Sequence, residues 1–306
     1  MILIGENIHI ISKTVRNALE SKDENFVKNL LKIMQNCDAV DLNIGPAKGN
    51  LDKIFDWLLP ICTAETKLPI SFDSSNIDAI EQGLKLTANP QNCFINSTTA
   101  DFEKLERLTD LAIKYNCNLI ALAMSKETGI PKNADGRMDL ILSIYEKCIE
   151  KEVPSDKIFF DPLILPLNID QTQATEVINA IRMIKESFEP KVNTLVGLSN
   201  ISNGMPSEIR QIVNRVYGVM LSGAGLDGAI IDATDIELVK ILRMIECNNP
   251  QNDIDKLYIN ISNMVQCFGE VEDIHYDKSD TQQEKIFKTL KILLNKEVFS
   301  NSYTQL

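Results

Sequence analysis

Eight short apolar runs, each followed by an amphipathic helical pattern with no internal linker, predict that this chain folds as an α/β protein of the (β/α)8 barrel type. The runs are Ile2–Gly5, Ala39–Ile44, Leu68–Asp73, Cys93–Asn96, Leu119–Met124, Ile158–Asp161, Thr194–Leu198 and Ala229–Asp232. Their apolar residues are continuous, as expected of parallel strands covered on both faces. A length of 306 residues suits such a barrel, so one domain over 1–306 is expected. An open doubly wound sheet shows the same alternation, and strand count alone does not decide closure.

The segments between the runs carry the matching period. In 101–115 the apolar positions Phe102, Leu105, Leu108, Leu111, Ala112 and Tyr115 form one stripe, with charges outside it. Residues 174–188 repeat the pattern with Val177, Ile178, Ile181, Ile184 and Phe188. Asn76 stands where a helix N-cap belongs after the third strand, and Thr99 is expected to serve similarly after the fourth. From about Cys247 to Gln283 the alternation fails and the chain turns polar, acidic and rich in turn formers. Within it, Leu257–Val265 could form a short helix or strand. The stretch 248–283 therefore reads as a surface insertion before a terminal helix at 284–296, rather than a partner-binding arm.

Composition narrows the function classes. The chain is 44% apolar and 24% charged, ordinary for a soluble enzyme, and its net charge of −12 argues against nucleic-acid and anionic-membrane partners. One local basic group still accommodates a small anion. The opening MILIGENIHI lacks a signal-peptide pattern, and no apolar run reaches membrane-spanning length. Seven scattered cysteines, without CxxC or a His-Cys cluster, fit reduced thiols and no zinc or iron–sulfur site. A cytoplasmic protein with no protein-bound metal is expected.

Barrel enzymes place their chemistry at the C-terminal ends of the strands. Here those ends deliver Asp41 and Asn43 before Gly45-Pro46, Asp73 to Asn76, Asn96 to Thr99, Asp161, Ser199-Asn200 and Asp232. Carboxylates and carboxamides dominate, with no histidine and little positive charge. A carboxylate can grip adjacent N–H and NH2 groups in a bidentate manner, as an aminopyrimidinone ring presents them, and Asn adds both a donor and an acceptor. A phosphate site would call for a Gly-rich turn or clustered Lys and Arg. Ordinary roles compete: Asp41 and Asn43 can fix the Gly-Pro turn, Asn76 can cap a helix, and Asp232 can pair with Arg215. Convergence of Asp73, Asn96, Asp161 and Asn200 on one rim favours a site.

The strings GEN, DLNIGP, FDSSN, INSTT, MSKETGIPK, DPLILP, GLSNIS and GLDGAIIDATD occur in this order. In that order they resemble the pterin-binding methyltransferase family, nearest to the methyltetrahydrofolate:corrinoid/iron–sulfur protein methyltransferases. The folate domain of cobalamin-dependent methionine synthase and dihydropteroate synthase are more distant relatives. The likeness covers about Met1 to Cys247 and resumes in the terminal helix. It implies a pterin-binding TIM barrel of the dihydropteroate-synthase type; DPLILP with GLSN downstream is specific, whereas DLNIGP alone is shared more widely. It also implies methyl transfer between N5 of methyltetrahydrofolate and the Co(I) centre of a corrinoid protein, in either direction, by a homodimer. No DxHxxG motif is present, so the corrinoid is expected on a separate partner.

Residue by residue, the resemblance assigns Asp73, Asn96 and Asp161 to the pterin ring edge and Asn200 to N5, as the catalytic residue. Asn43, Ser199, Arg210 and Asp232 join the pterin-binding set, and Ser199 with Ser202 flanks Asn200 to hold it. Because N5 is a poor leaving group, the Asn200 hydrogen bond is expected to strengthen as the methyl–nitrogen bond breaks. Asparagine is no acid at neutral pH, so the proton must come from elsewhere. His9 and Asn7 replace the Asn and Arg usual in relatives, 203–209 is longer, and 248–283 lies outside the family pattern. Two other readings stay open, a dihydropteroate synthase-type enzyme and a non-catalytic pterin- or corrinoid-binding module. The first needs a pyrophosphate site that GENIHIISKTVRN and IIDATDI match poorly.

Overall fold

The computed structural model describes residues 1–304. Its strands are β1 (Ile2–His9), β2 (Ala39–Gly45), β3 (Ile70–Ser74), β4 (Phe94–Thr98), β5 (Asn118–Leu122), β6 (Ile158–Asp161), β7 (Asn193–Gly197) and β8 (Gly228–Ile231). They close into a barrel in chain order, all neighbours parallel, which settles closure against the open sheet. Helices α1 (Lys13–Glu20) and α2 (Glu24–Ile33) follow β1. Next come α3 (Phe55–Glu65), α4 (Ile77–Leu86), α5 (Phe102–Tyr115), α6 (Ala134–Glu150), α7 (Gln173–Ser187) and α8 (Ser207–Gly223), each after one strand. After β8 come α9 (Ile236–Cys247), α10 (Asp253–Gln266) and α11 (Thr281–Leu293). No described helix is long and apolar enough to cross a membrane.

Successive strand residues face opposite sides, so the two-residue period sorts the chain into two cores. Ile4, Ala39, Phe94, Ile120, Phe159, Leu195 and Ile230 point inward and fill the barrel as a separate apolar plug. The Phe94 and Phe159 rings meet edge to face at 5.4 Å. Their outward neighbours, among them Leu3, Val40, Ile95, Leu119 and Val196, pack under the helices. Two residues beyond each plug residue, the next inward position reaches the C-terminal mouth. There the residue type changes: Asp41, Asn96, Asp161 and Asp232 follow Ala39, Phe94, Phe159 and Ile230. The apolar floor and polar mouth are consecutive steps of one repeat.

Register shifts cluster at that mouth. They fall between Gly5 and Ile8 of β1, between Asn43 and Gly45 of β2, and between Asn96 and Thr98 of β4. In β1 the extra residue sets Glu6 and Asn7 together across from Asp41, since Gly5 pairs with Val40 and Ile8 with Leu42. Such a bulge re-aims side chains at the end of a strand.

The helix caps came out unevenly. Asn76 caps α4, its Oδ1 accepting from the Asp78 and Ala79 N–H groups at 3.1 and 3.4 Å. Thr99 does not cap α5. Asp101 takes the N-cap position without a side-chain cap bond, and the Thr99 hydroxyl donates to its carboxylate at 2.7 Å.

The surface-insertion reading of 248–283 is corrected over Asp253–Gln266. Asp253–Gln266 is a fourteen-residue helix whose Leu257, Tyr258, Ile261, Met264 and Val265 are buried. Their spacing is helical, and the polar residues between them hid the stripe by diluting the average composition. Asn252 caps it, accepting from the Asp255 N–H at 2.8 Å, and Asp253 and Asp255 suit the positive end of its dipole. The helix lies on α8 so closely that a Cβ on Gly223 would overlap the Ser262 carbonyl oxygen. Elsewhere in a helix Gly→Ala is favourable by up to ~1 kcal/mol. Here Gly223→Ala is expected to cost about 1–3 kcal/mol in urea unfolding, and an unchanged or raised midpoint would contradict this packing.

Candidate functional site

Three neighbouring strands set Asn43, Asp73 and Asn96 at one height of the mouth. The Asn43 amide donates to Asp73 Oδ2 at 2.5 Å, while its own oxygen accepts from the Gly45 N–H at 3.2 Å. Asn43 thus both fixes the turn and orients the carboxylate. Asn96 Nδ2 donates to Asp41 Oδ1 at 3.2 Å. Asp41 is not a turn residue: it lies inside the barrel, 2% exposed. These bonds commit one oxygen of Asp73 and the amide nitrogen of Asn96 to the protein. The Oδ1 atoms of both are the acceptors available to a ligand.

Across the mouth, Asp161 Oδ1 accepts from the Leu163 N–H at 2.7 Å, and the Gly197 N–H also serves its carboxylate. Asn200 sits in the short turn Leu198–Ser202 after β7. Its oxygen accepts from Asn203 Nδ2 at 3.3 Å, which leaves the NH2 end as the donor toward the site. That nitrogen lies 3.1 Å from the place a Cβ on Gly197 would occupy. Gly197 is an inward position, so the missing side chain lets the amide lean over the mouth. The expected grip of Ser199 and Ser202 on Asn200 is not what holds its side chain. Ser199 donates to Glu6 Oε1 at 2.5 Å, and Ser202 donates to the Ser199 carbonyl at 3.3 Å.

A second polar group joins the first and last strands. Asn7 donates to Asp232 Oδ1 at 2.6 Å and accepts from the Ala233 N–H at 3.0 Å. Thr234 adds its hydroxyl and N–H to the same Asp232 oxygen, at 2.7 and 2.9 Å. Arg215 pairs with Asp235 at 2.6 Å, not with Asp232. Arg210, on the second turn of α8, donates to Ser202 at 3.4 Å and acts electrostatically on Glu6 and Asp232. With Lys104, whose charge reaches Asp73, it supplies the positive charge that the strand ends lack.

Burial governs the charge state of the mouth. It pushes Asp161 up to about 7, outweighing the Leu163 and Gly197 N–H groups and the Arg137 charge. Asp41 rises well above the usual carboxylate range through burial and the neighbouring Asp73 charge. Asp73 rises through burial, against the Asn43 hydrogen bond, with Glu6 adding repulsion. Glu6 rises through burial, with the Ser199 hydrogen bond opposing. For Asp232 burial acts upward, yet the Thr234 and Asn7 bonds prevail and hold it below its ordinary value. Burial holds His9 below its ordinary value against the Asp232 charge.

Glu6 and Asp41 are absent from the residues that sequence reasoning selected. Counting inward by twos from Ile4 and back from Asn43 finds both. No described group of three or more His, Cys, Asp and Glu side chains is arranged to hold a metal ion.

A closed parallel barrel whose mouth presents Asp and Asn acceptors together with an amide donor carries groups that match a flat heterocycle rich in N–H groups. Comparison with known proteins gives the family: the pterin-binding enzyme family matches residues 38–232, and this chain belongs to it. Among similar proteins, a methylcorrinoid:tetrahydrofolate methyltransferase of Eubacterium limosum is 24% identical over 242 residues, 78% of this chain and 88% of that one. A methionine synthase of Mycobacterium leprae is 28% identical over 179 residues, 55% of this chain but 14% of that longer protein. Among solved structures, the dihydropteroate synthase of Anaplasma phagocytophilum, with bound 6-hydroxymethylpterin-monophosphate, matches at a TM-score of 0.56 and 13% identity, covering 87% of this chain and 99% of that chain. That of Xanthomonas albilineans matches at 0.58 and 13%, covering 81% and 93%. At such identity the structures speak for the fold.

The Asp161 shift has a stability consequence. Its value of about 7 lies above the ordinary 3.8, so between these the folded protein holds a proton that the unfolded chain has released. Its contribution is full below about pH 4 and is lost as pH rises through about 7. Asp161→Asn is therefore expected to flatten the fall in stability between pH 5 and 8 and to be more stable than wild type at pH 8, by up to about 4 kcal/mol. Parallel pH profiles for the two proteins in urea melts would contradict it.

Proposed function

We propose that the chain is a methyltransferase acting between N5 of a reduced folate-type pterin and a corrinoid protein, from methyltetrahydrofolate to Co(I) or in reverse. The observation that carries this is the Asn200 amide, leaning over Gly197 at the same strand-end mouth that holds Asp73, Asn96 and Asp161. The name of the Eubacterium limosum relative supports the same reaction class. Asp73, Asn96 and Asp161 take the N–H and NH2 donors of the ring edge, with Asn43 holding Asp73 in place. Docking a donor-rich ring favours the ionised carboxylates, so binding releases protons at pH values below about 7. The corrinoid, carried by a separate partner, supplies the nucleophile for the methyl group.

The chain's own task is to make N5 a better leaving group. Asn200 donates to it more strongly as the electron pair returns to nitrogen. Asparagine has no proton to give at neutral pH. Glu6, whose carboxyl burial holds above the usual carboxylate range and which accepts from the residue beside Asn200, supplies that proton in this reading. Arg210 stabilises the carboxylate left behind. One barrel domain working as a cytoplasmic homodimer completes the proposal.

Loss of the Co(I) absorption band, on mixing with methyltetrahydrofolate and a reduced corrinoid protein, reads the reaction directly. Asn200→Ala is expected to slow single-turnover transfer by roughly 10²–10³ while pterin still binds. Near-wild-type transfer in that variant removes the role given to Asn200. Glu6→Gln is expected to retain pterin binding and slow transfer by about 10²–10⁴. Measurable pterin binding by the wild type with no turnover on any competent corrinoid protein would instead identify a binding module.

A further inference from the structure

Arg137 of α6 is 0% exposed, the largest of the fully buried side chains. Its Nε and Nη1 have no hydrogen-bond partner, a costly state for a guanidinium in the interior. Nor does a carboxylate pair with it directly. Of the ionisable groups facing it, Glu176 of α7 accepts the Ala134 N–H at 2.7 Å and Tyr217 of α8 donates to the Ala174 carbonyl at 2.9 Å. The third is Asp161 of β6.

The nitrogen that is engaged shows where the residue acts. Arg137 Nη2 donates to Gln173 Oε1 at 2.7 Å and to the Leu163 carbonyl at 3.4 Å. Gln173 is itself fixed, its Nε2 donating to the Lys132 carbonyl at 2.8 Å and to Asp170 at 3.3 Å. Leu163 has φ of +67°, a left-handed backbone uncommon for a residue with a side chain. Its N–H is the group that donates to Asp161 Oδ1 at 2.7 Å. Leu163 is thus held at its carbonyl by Arg137 and at its N–H by the carboxylate assigned to the ring edge.

Building on the pterin reading of Asp161, we infer that Arg137 is a positioning residue for the site: through the Leu163 carbonyl it holds the turn that aims the Leu163 N–H at Asp161, and its buried charge stands behind that carboxylate. Residues on the far side of the β6–α7 connection thereby set how Asp161 presents its oxygens. The cost of a half-satisfied guanidinium is offset by a carboxylate fixed in direction and able to ionise when a donor-rich ring arrives.

Two readouts test this, one without ligand. In protein labelled with ¹⁵N-leucine, the Leu163 amide resonance is followed from pH 5 to 9. It is expected to titrate near 7 in the wild type. In Arg137→Met, which removes the opposite charge, the midpoint moves up by about one unit or more. In Gln173→Leu, which keeps the charge but frees the guanidinium, the midpoint moves less while the amide shift itself changes. The second readout is calorimetric affinity for methyltetrahydrofolate, expected to fall about 10- to 100-fold in Arg137→Met and less in Arg137→Lys. If Arg137→Met does not fold, Arg137→Lys and Gln173→Leu carry both measurements. Unchanged midpoint, amide shift and affinity in the folded variants overturn the inference. A shifted midpoint in a protein that binds no pterin would sustain the Arg137 linkage and overturn the pterin reading instead.

Discussion

Glu6, Asp41, Asp73 and Asp161 are carried into the barrel by the two-residue repeat of its strands, Asp41 and Asp161 buried and Glu6 and Asp73 partly so, and desolvation is the leading influence on each. The rest of the mouth answers that burial. Asn43 and Asn96 turn their amides to Asp73 and Asp41, and the Leu163 and Gly197 N–H groups serve Asp161. None of these bonds fully offsets desolvation, so all four carboxyls are held above their ordinary range, Asp73 and Asp161 up to about 7. In the proposed reading such a site exchanges a proton for a donor-rich ring.

Much of the fold was legible because buried parallel strands are apolar on both faces and announce themselves as runs. Each expected run overlaps an observed strand, and the stripes at 101–115 and 174–188 mark α5 and α7. Closure was not legible, since the same alternation builds open sheets. Strand one was cut short at Gly5, whereas it continues to His9. A bulge interrupts its register there, and polar residues replace apolar ones, so the run appears to stop where the site begins. That concealed Glu6.

The site residues were legible in kind more than in role. Asp73, Asn96, Asp161 and Asn200 all lie at the C-terminal mouth, whereas the sequence left Asp41 open between fixing the Gly-Pro turn and lining the site, although its parity matches Ala39 and Asn43. Ser199 and Asp232 spend their hydrogen bonds on Glu6 and on the β1–β8 junction. Arg137 lay beyond sequence reasoning, because an arginine near the start of a helix gives no hint that it faces the interior. Helix α10 was legible only as a short helix or strand over Leu257–Val265, because its apolar residues are few and surrounded by polar ones.

The bare backbone at position 197 bears on how such a site can change over generations. A Cβ there would stand 3.1 Å from the amide nitrogen of residue 200, which would have to give by a few tenths of an ångström. What position 197 carries therefore bears on where the amide at 200 rests. In the proposed reading, a lineage that gained a single methyl group at 197 would keep its barrel and its ring-edge acceptors while moving the donor above them. Capture of the ring and chemistry upon it would then answer to different positions.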